Sequence, residues 1–131
     1  MASKDKRQVG KNKRFTQSLG HAVAGIGRLI KEERNFRFDI FISLFMLAMG
    51  LVFQIKINEW MWLIASFFSV MGSEVLNTIV ENVVDLIVGN KYDSLAKRAK
   101  DIGAGGVLLS AFFAFIIGCL IFIPRIIDLL R

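Results

Sequence analysis

Between Phe15 and Lys31 the apolar residues Phe15, Leu19, Val23, Ile26 and Ile30 recur every three or four positions, with Arg14, Gln17, His21, Arg28 and Lys31 on the polar side. That is the period of an amphipathic helix. A basic helix of this kind suits a membrane interface, so a surface helix is predicted over 14–35; a soluble core helix would show the same spacing. From Ile40 the pattern changes. Fourteen residues to Phe53 carry no charge, and the run reaches Ile57 at the cost of Gln54 and Lys56. This predicts a first membrane span over 38–57, with Lys56 snorkelling outward. After a short turn, Trp60 and Trp62 open a second span as interfacial aromatics. It is predicted over 60–88, longer than a bilayer needs. Gly89-Asn90 supplies a helix stop, and a polar connection leads to Ile102–Ile123, twenty-two residues without a charge. The third span is therefore predicted over 102–124, with Pro124 at its end. Residues 1–13 are polar and basic, the pattern of a disordered arm.

Composition agrees with this division. Of 131 residues, 54% are hydrophobic while 21% are charged, so the two kinds are segregated along the chain rather than mixed over a soluble surface. The expected fold class is an all-α integral membrane protein: one domain, with an N-terminal amphipathic surface helix and three transmembrane helices. Net charge is +6, and beside such apolar runs the expected partner is anionic lipid headgroups, not nucleic acid. Cys119 is the only cysteine, which excludes an intrachain disulfide. No signal peptide is expected, because the first long apolar run begins only near Ile40 and lacks a small-residue cleavage site. Ten of the 17 Lys and Arg residues precede the first span, one lies between spans one and two, four between two and three, and two after the third. Positive loops stay in the cytoplasm, which predicts a multi-pass plasma-membrane protein with its N-terminus inside and its C-terminus outside.

The chemistry concentrates in the second span. Glu74, Asn77, Glu81 and Asp85 lie among Val, Leu and Ile. At about 100° per residue the three acids fall within roughly 40° of one another, on a stripe about 16 Å long. Carboxylates at the edge of a bilayer are costly unless they face a protein cleft holding a cation. The same spacing fits acids that have left the membrane and stand in water. The predicted orientation brings to the same side the Lys31-Glu32-Glu33-Arg34 cluster and the Lys100-Asp101 pair. Carboxylates can hold a hard divalent cation, basic groups can neutralise phosphate oxygens, and a spare carboxylate can accept a proton from an attacking hydroxyl. This inventory suits phosphoryl transfer at a membrane surface. No Walker-type or protein-kinase motif is present. Gly106, Ser110, Ala114 and Gly118 form a small-residue stripe in the third span, an argument for close helix packing or oligomerisation. A non-enzymatic membrane scaffold and a proton or ion pathway are the competing readings of the same acids.

Glu74-x-x-Asn77-Thr-x-x-Glu81-x-x-x-Asp85, followed by Ala99-Lys100-Asp101 ahead of a small-residue span, resembles the signature of the prokaryotic diacylglycerol kinase family. The resemblance runs from about Arg14 to Ile123 and includes the segment from Lys31 to Arg37. It implies a small homotrimeric membrane kinase that uses ATP with Mg²⁺ and has a cytoplasmic active site. By resemblance, Glu74 is the general base, and Glu33 and Glu81 hold the metal on the nucleotide phosphates. Lys100 and Asp101 match the pair at the ATP site, with Lys100 placed to steady the γ-phosphate, while Asn77 and Asp85 match polar positions organising the same pocket. Arg14, His21, Tyr92 and Asp93 fall at nucleotide-proximal positions, His21 where the best-known member carries a tyrosine. The segments Glu81-Asn-Val-Val-Asp85 and Lys31-Glu-Glu-Arg-Asn35 look like the Gram-positive branch. That branch implies undecaprenol as the acceptor, giving undecaprenyl phosphate for cell-wall carrier lipid, with diacylglycerol as the alternative.

Overall fold

A computed structural model of the chain describes residues 14–131; the basic arm predicted over 1–13 lies outside the described residues. The chain falls into two units, Met1–Glu33 and Arg34–Arg131. The first contributes α1 (Phe15–Glu32). Arg14 is extended, and its carbonyl accepts from the N–H groups of Gln17 at 3.1 Å and Ser18 at 3.2 Å. At the other end Glu33 turns to φ −95°, ψ 112° while its own N–H still donates to the Leu29 carbonyl at 2.9 Å. No residue of α1 is buried, and the apolar series Phe15, Leu19, Val23, Ile26 and Ile30 is exposed along one face.

The second unit holds α2 (Arg34–Val52), α3 (Ile57–Val88) and α4 (Ser94–Leu130), each long and apolar enough to cross a membrane. No strand occurs among the described residues. This is the architecture of a multi-pass membrane protein. Most large apolar side chains of the three helices point outward, as expected where lipid replaces water as solvent.

Helix ends differ from those the uncharged runs predict, each for a local reason. α2 stops at Val52, because Gln54 enters the left-handed region (φ +49°) and Ile55 N–H closes back on the Gly50 carbonyl at 3.1 Å. α3 opens three residues before Trp60, where Lys56 N–H donates to Glu59 Oε2 at 2.7 Å, half of a capping box. It ends at Gly89, whose φ of +59° suits a residue without a Cβ. α4 begins eight residues ahead of Ile102, because Asp93 caps it, Oδ1 accepting from Leu95 N–H at 2.8 Å and Ala96 N–H at 2.9 Å. Pro124 lies inside α4 and does not end it.

α3 and α4 run antiparallel and form the most extensive helix pair. The core sits at the end of the unit formed by the α2–α3 turn. Ile55, Leu63, Ile121 and Phe122 are buried there, with Met46, Met49, Phe53, Trp60, Phe67 and Ile117 packed around them. Phe53 meets Phe122 edge-on at 5.9 Å. Gly50 admits the Trp60 ring, which would stand 2.7 Å from an added Cβ. Gly118 lets Met46 approach, so this member of the small-residue stripe serves packing within the chain. A two-pronged ion pair closes the same end: Arg125 Nη1 donates to Glu59 Oε1 at 2.9 Å and Nη2 to Oε2 at 2.5 Å.

Candidate functional site

The polar face of α3 is built as its period requires. Glu74 and Thr78, one turn apart, are buried, Glu74 to 6% exposure. Asn77 and Glu81 are half-buried and joined, Asn77 Nδ2 donating to Glu81 Oε1 at 3.1 Å. Asn77 Oδ1 faces α4 and has no hydrogen-bond partner. It can sit there because residue 103 is glycine; a Cβ at that position would lie 2.6 Å from Oδ1. Two turns beyond Asn77, Asp85 Oδ1 takes Lys100 Nζ from α4 at 2.6 Å. The stripe therefore runs from a buried carboxylate to an exposed one that is tied across the helix pair.

Beyond Asp85 the α3–α4 turn shapes an open pocket of about 470 Å³ lined mainly by polar residues. Its lining includes Asp85, Tyr92, Asp93, Lys97, Lys100 and Asp101. Asp101 accepts from Lys97 Nζ at 2.6 Å, Asp93 is engaged in capping α4, and Tyr92 is exposed. Two functions meet in Asp93, since a side chain that lines the pocket also fixes where α4 starts. Arg14, His21 and Glu33 belong to the first unit. Arg14 and His21 are exposed, and Glu33 is half-buried where α1 ends. The second unit thus brings together Asn77 with Glu81, Asp85 with Lys100, and Asp101 with a lysine.

Sequence reasoning passed over Asp39. It lines a groove of about 550 Å³ between α2, α3 and α4, whose other described lining residues carry no charge. Its Oδ2 is buried and without a hydrogen-bond partner. A carboxylate oxygen left unpaired beside hydrocarbon is costly, and such a group inside a membrane helix marks a functional position by default. The available signal was its place one residue ahead of the uncharged run.

Among the described residues no three of His, Cys, Asp and Glu gather closely enough to hold a metal ion. Mg²⁺ does not require such a cage, because it binds through one or two carboxylates, substrate phosphates and water. Glu81 fits this role: Asn77 occupies one carboxylate oxygen and holds the group in place.

Comparison with known proteins shows which family the chain resembles. The profile of the family described as prokaryotic diacylglycerol kinase matches residues 20–122. Undecaprenol kinase of Bacillus subtilis strain 168 is 40% identical over 126 residues, 96% of this chain and 100% of that protein. A diacylglycerol kinase of Synechocystis is 36% identical over 86% of this chain and 65% of its own length. The diacylglycerol kinase of Escherichia coli K12 is 31% identical over 82% of this chain and 88% of its own.

Proposed function

This chain belongs to the prokaryotic diacylglycerol kinase family and is a membrane lipid kinase, and we propose that it transfers the γ-phosphate of ATP to the hydroxyl of undecaprenol. Membership decides for an enzyme over a scaffold or an ion pathway, and a kinase implies ATP as donor. The observation that carries the site assignment is the stripe on α3: a carboxylate buried at Glu74, continuous with polar residues that lead to the lysine-bearing pocket. In the proposed reaction Glu74 takes the proton of the lipid hydroxyl. The hydroxyl oxygen bonds the γ-phosphorus, the bond from that phosphorus to the β,γ-bridging oxygen breaks, and ADP leaves. Lys100 exchanges Asp85 for a phosphate oxygen, an exchange made cheap by the partial exposure of the pair. Asn77 orients Glu81, and Asp85 and Asp101 shape the pocket. Glu81 is the carboxylate assigned to Mg²⁺, which when bound neutralises charge on the β- and γ-phosphates; Glu33 is assigned to the metal on the family resemblance alone. Arg14, His21, Tyr92 and Asp93 are assigned to nucleotide contacts on the family resemblance alone.

Undecaprenol is favoured over diacylglycerol by the B. subtilis undecaprenol kinase, which aligns along its whole length. The apolar groove beside Asp39 offers a bed for the hydrocarbon of either acceptor. In this reading Asp39 Oδ2 accepts from the acceptor's hydroxyl before Glu74 does. The product would supply carrier lipid for cell-wall synthesis. We further assign the N-terminus and site to the cytoplasmic side, from the distribution of Lys and Arg, and three chains to the assembly, for which chemical crosslinking in membranes to a limiting three-chain species is the check. The decisive experiment is transfer of radiolabelled phosphate from ATP into undecaprenol and diacylglycerol presented in equal detergent micelles, with the products separated by chromatography. Undecaprenyl phosphate is expected to dominate; equal labelling or a preference for diacylglycerol overturns the acceptor assignment.

A further inference from the structure

We propose that Lys97 is a positioning residue of the nucleotide site, acting through Asp101; the proposal rests on the kinase reading above. Lys97 Nζ stands 2.6 Å from Asp101 Oδ2, and Lys100 Nζ stands 2.6 Å from Asp85 Oδ1. All four residues line the pocket at the α3–α4 turn. Helix stability does not account for Lys97. It is the fourth residue of α4, in the first turn, where the helix dipole opposes positive charge. It also precedes its acidic partner by four residues, the less favourable order for such a pair. Both side chains are more than half exposed, at 62% and 63%, so the contact adds little to folding.

The pair does two things for the pocket. It restricts the Asp101 carboxylate to one arrangement at the pocket wall, and it cancels a charge that would repel a phosphate chain. The charged residues lining the pocket are Lys91, Lys97 and Lys100 against Asp85, Asp93 and Asp101. They balance, and Lys97 is the charge set against Asp101, so its loss leaves that carboxylate uncompensated where an anionic nucleotide must enter. Lys97 therefore acts on nucleotide affinity by holding and neutralising Asp101.

The test is equilibrium dialysis of ATP against the full-length protein in detergent, for wild type, Lys97→Met, Lys97→Arg, Asp101→Asn and the Lys97→Met/Asp101→Asn double variant. Lys97→Met is expected to raise the Kd for ATP about tenfold, and Lys97→Arg to stay within about twofold of wild type. Adding Lys97→Met to Asp101→Asn is expected to change nothing further, because the group it serves is already gone. The thermal midpoint of Lys97→Met should match wild type; a helix-stabilising role would move that midpoint and leave ATP affinity alone. An unchanged Kd in Lys97→Met, or losses that multiply in the double variant, overturns the proposal. Lipid phosphorylation by the same wild-type preparation separates the two claims. Wild type that transfers no phosphate sinks the kinase reading and this inference together, whereas normal transfer with unaltered ATP binding by Lys97→Met sinks only the role of Lys97.

Discussion

Glu74 lies a full turn above Thr78 and almost without exposure, whereas Asp85, eleven residues on, is exposed and already paired with Lys100. The two ends of one stripe thus stand in different media, and this gradient suits a base at one end and a phosphate contact at the other. Replacing Glu74 by Gln keeps the volume and removes the proton acceptor. Turnover is expected to fall by about 10²–10⁴-fold with the same elution volume on gel filtration, while Glu81→Gln is expected chiefly to raise the Mg²⁺ concentration needed for half-maximal rate. Asp39 has a different signature. Asp39→Asn should raise the KM for the lipid about tenfold, equivalent to one charge-assisted hydrogen bond, and leave the KM for ATP unchanged; a shift in the ATP constant instead would remove Asp39 from the acceptor site. The spacing of Glu74, Asn77, Glu81 and Asp85 was legible because a helix repeats every 3.6 residues. Asp39 was not, since its meaning depends on α3 and α4 closing a groove against it. Nor could the sequence say that Lys100 reaches Asp85 and not its neighbour Asp101, because partner choice is a matter of side-chain direction across two helices.

At the scale of the elements, the uncharged runs located the helices but not their ends. The existence of three long apolar helices was legible from hydrophobic runs alone. α4 exceeds its run at both ends, because Asp93 caps a polar first turn and the helix continues through Pro124. The polar connection from Gly89 to Lys100 is therefore mostly helix, which is why Lys97, Lys100 and Asp101 are held on one rod. Two substitutions separate the ends of that rod. Gly103→Ala places a Cβ 2.6 Å from Asn77 Oδ1, which must displace the amide that holds Glu81. A loss of about tenfold in kcat/KM is expected, comparable to one disturbed hydrogen bond. Arg125→Ala breaks the two-pronged pair with Glu59 at the far end. A stability loss of about 2 kcal/mol in detergent is expected with kcat/KM retained. The reverse pattern, activity lost at Arg125 and stability lost at Gly103, would show that the division of labour along α4 is misassigned.

For the larger unit as a whole, the ring pair of Phe53 and Phe122, the Trp60 ring packed into the same core and the Glu59–Arg125 clasp gather at one end, while the pocket and its lysines occupy the other. The distribution follows from the chain: aromatic and aliphatic residues flank the α2–α3 turn, and charged ones flank the α3–α4 turn. The consequence is mechanical. A fastened end acts as a fulcrum, and α3, with 32 residues, is a lever about 48 Å long. Tilting it by about 5° would move the opposite tip, which carries the polar pocket, by about 4 Å while the fastened end stays shut.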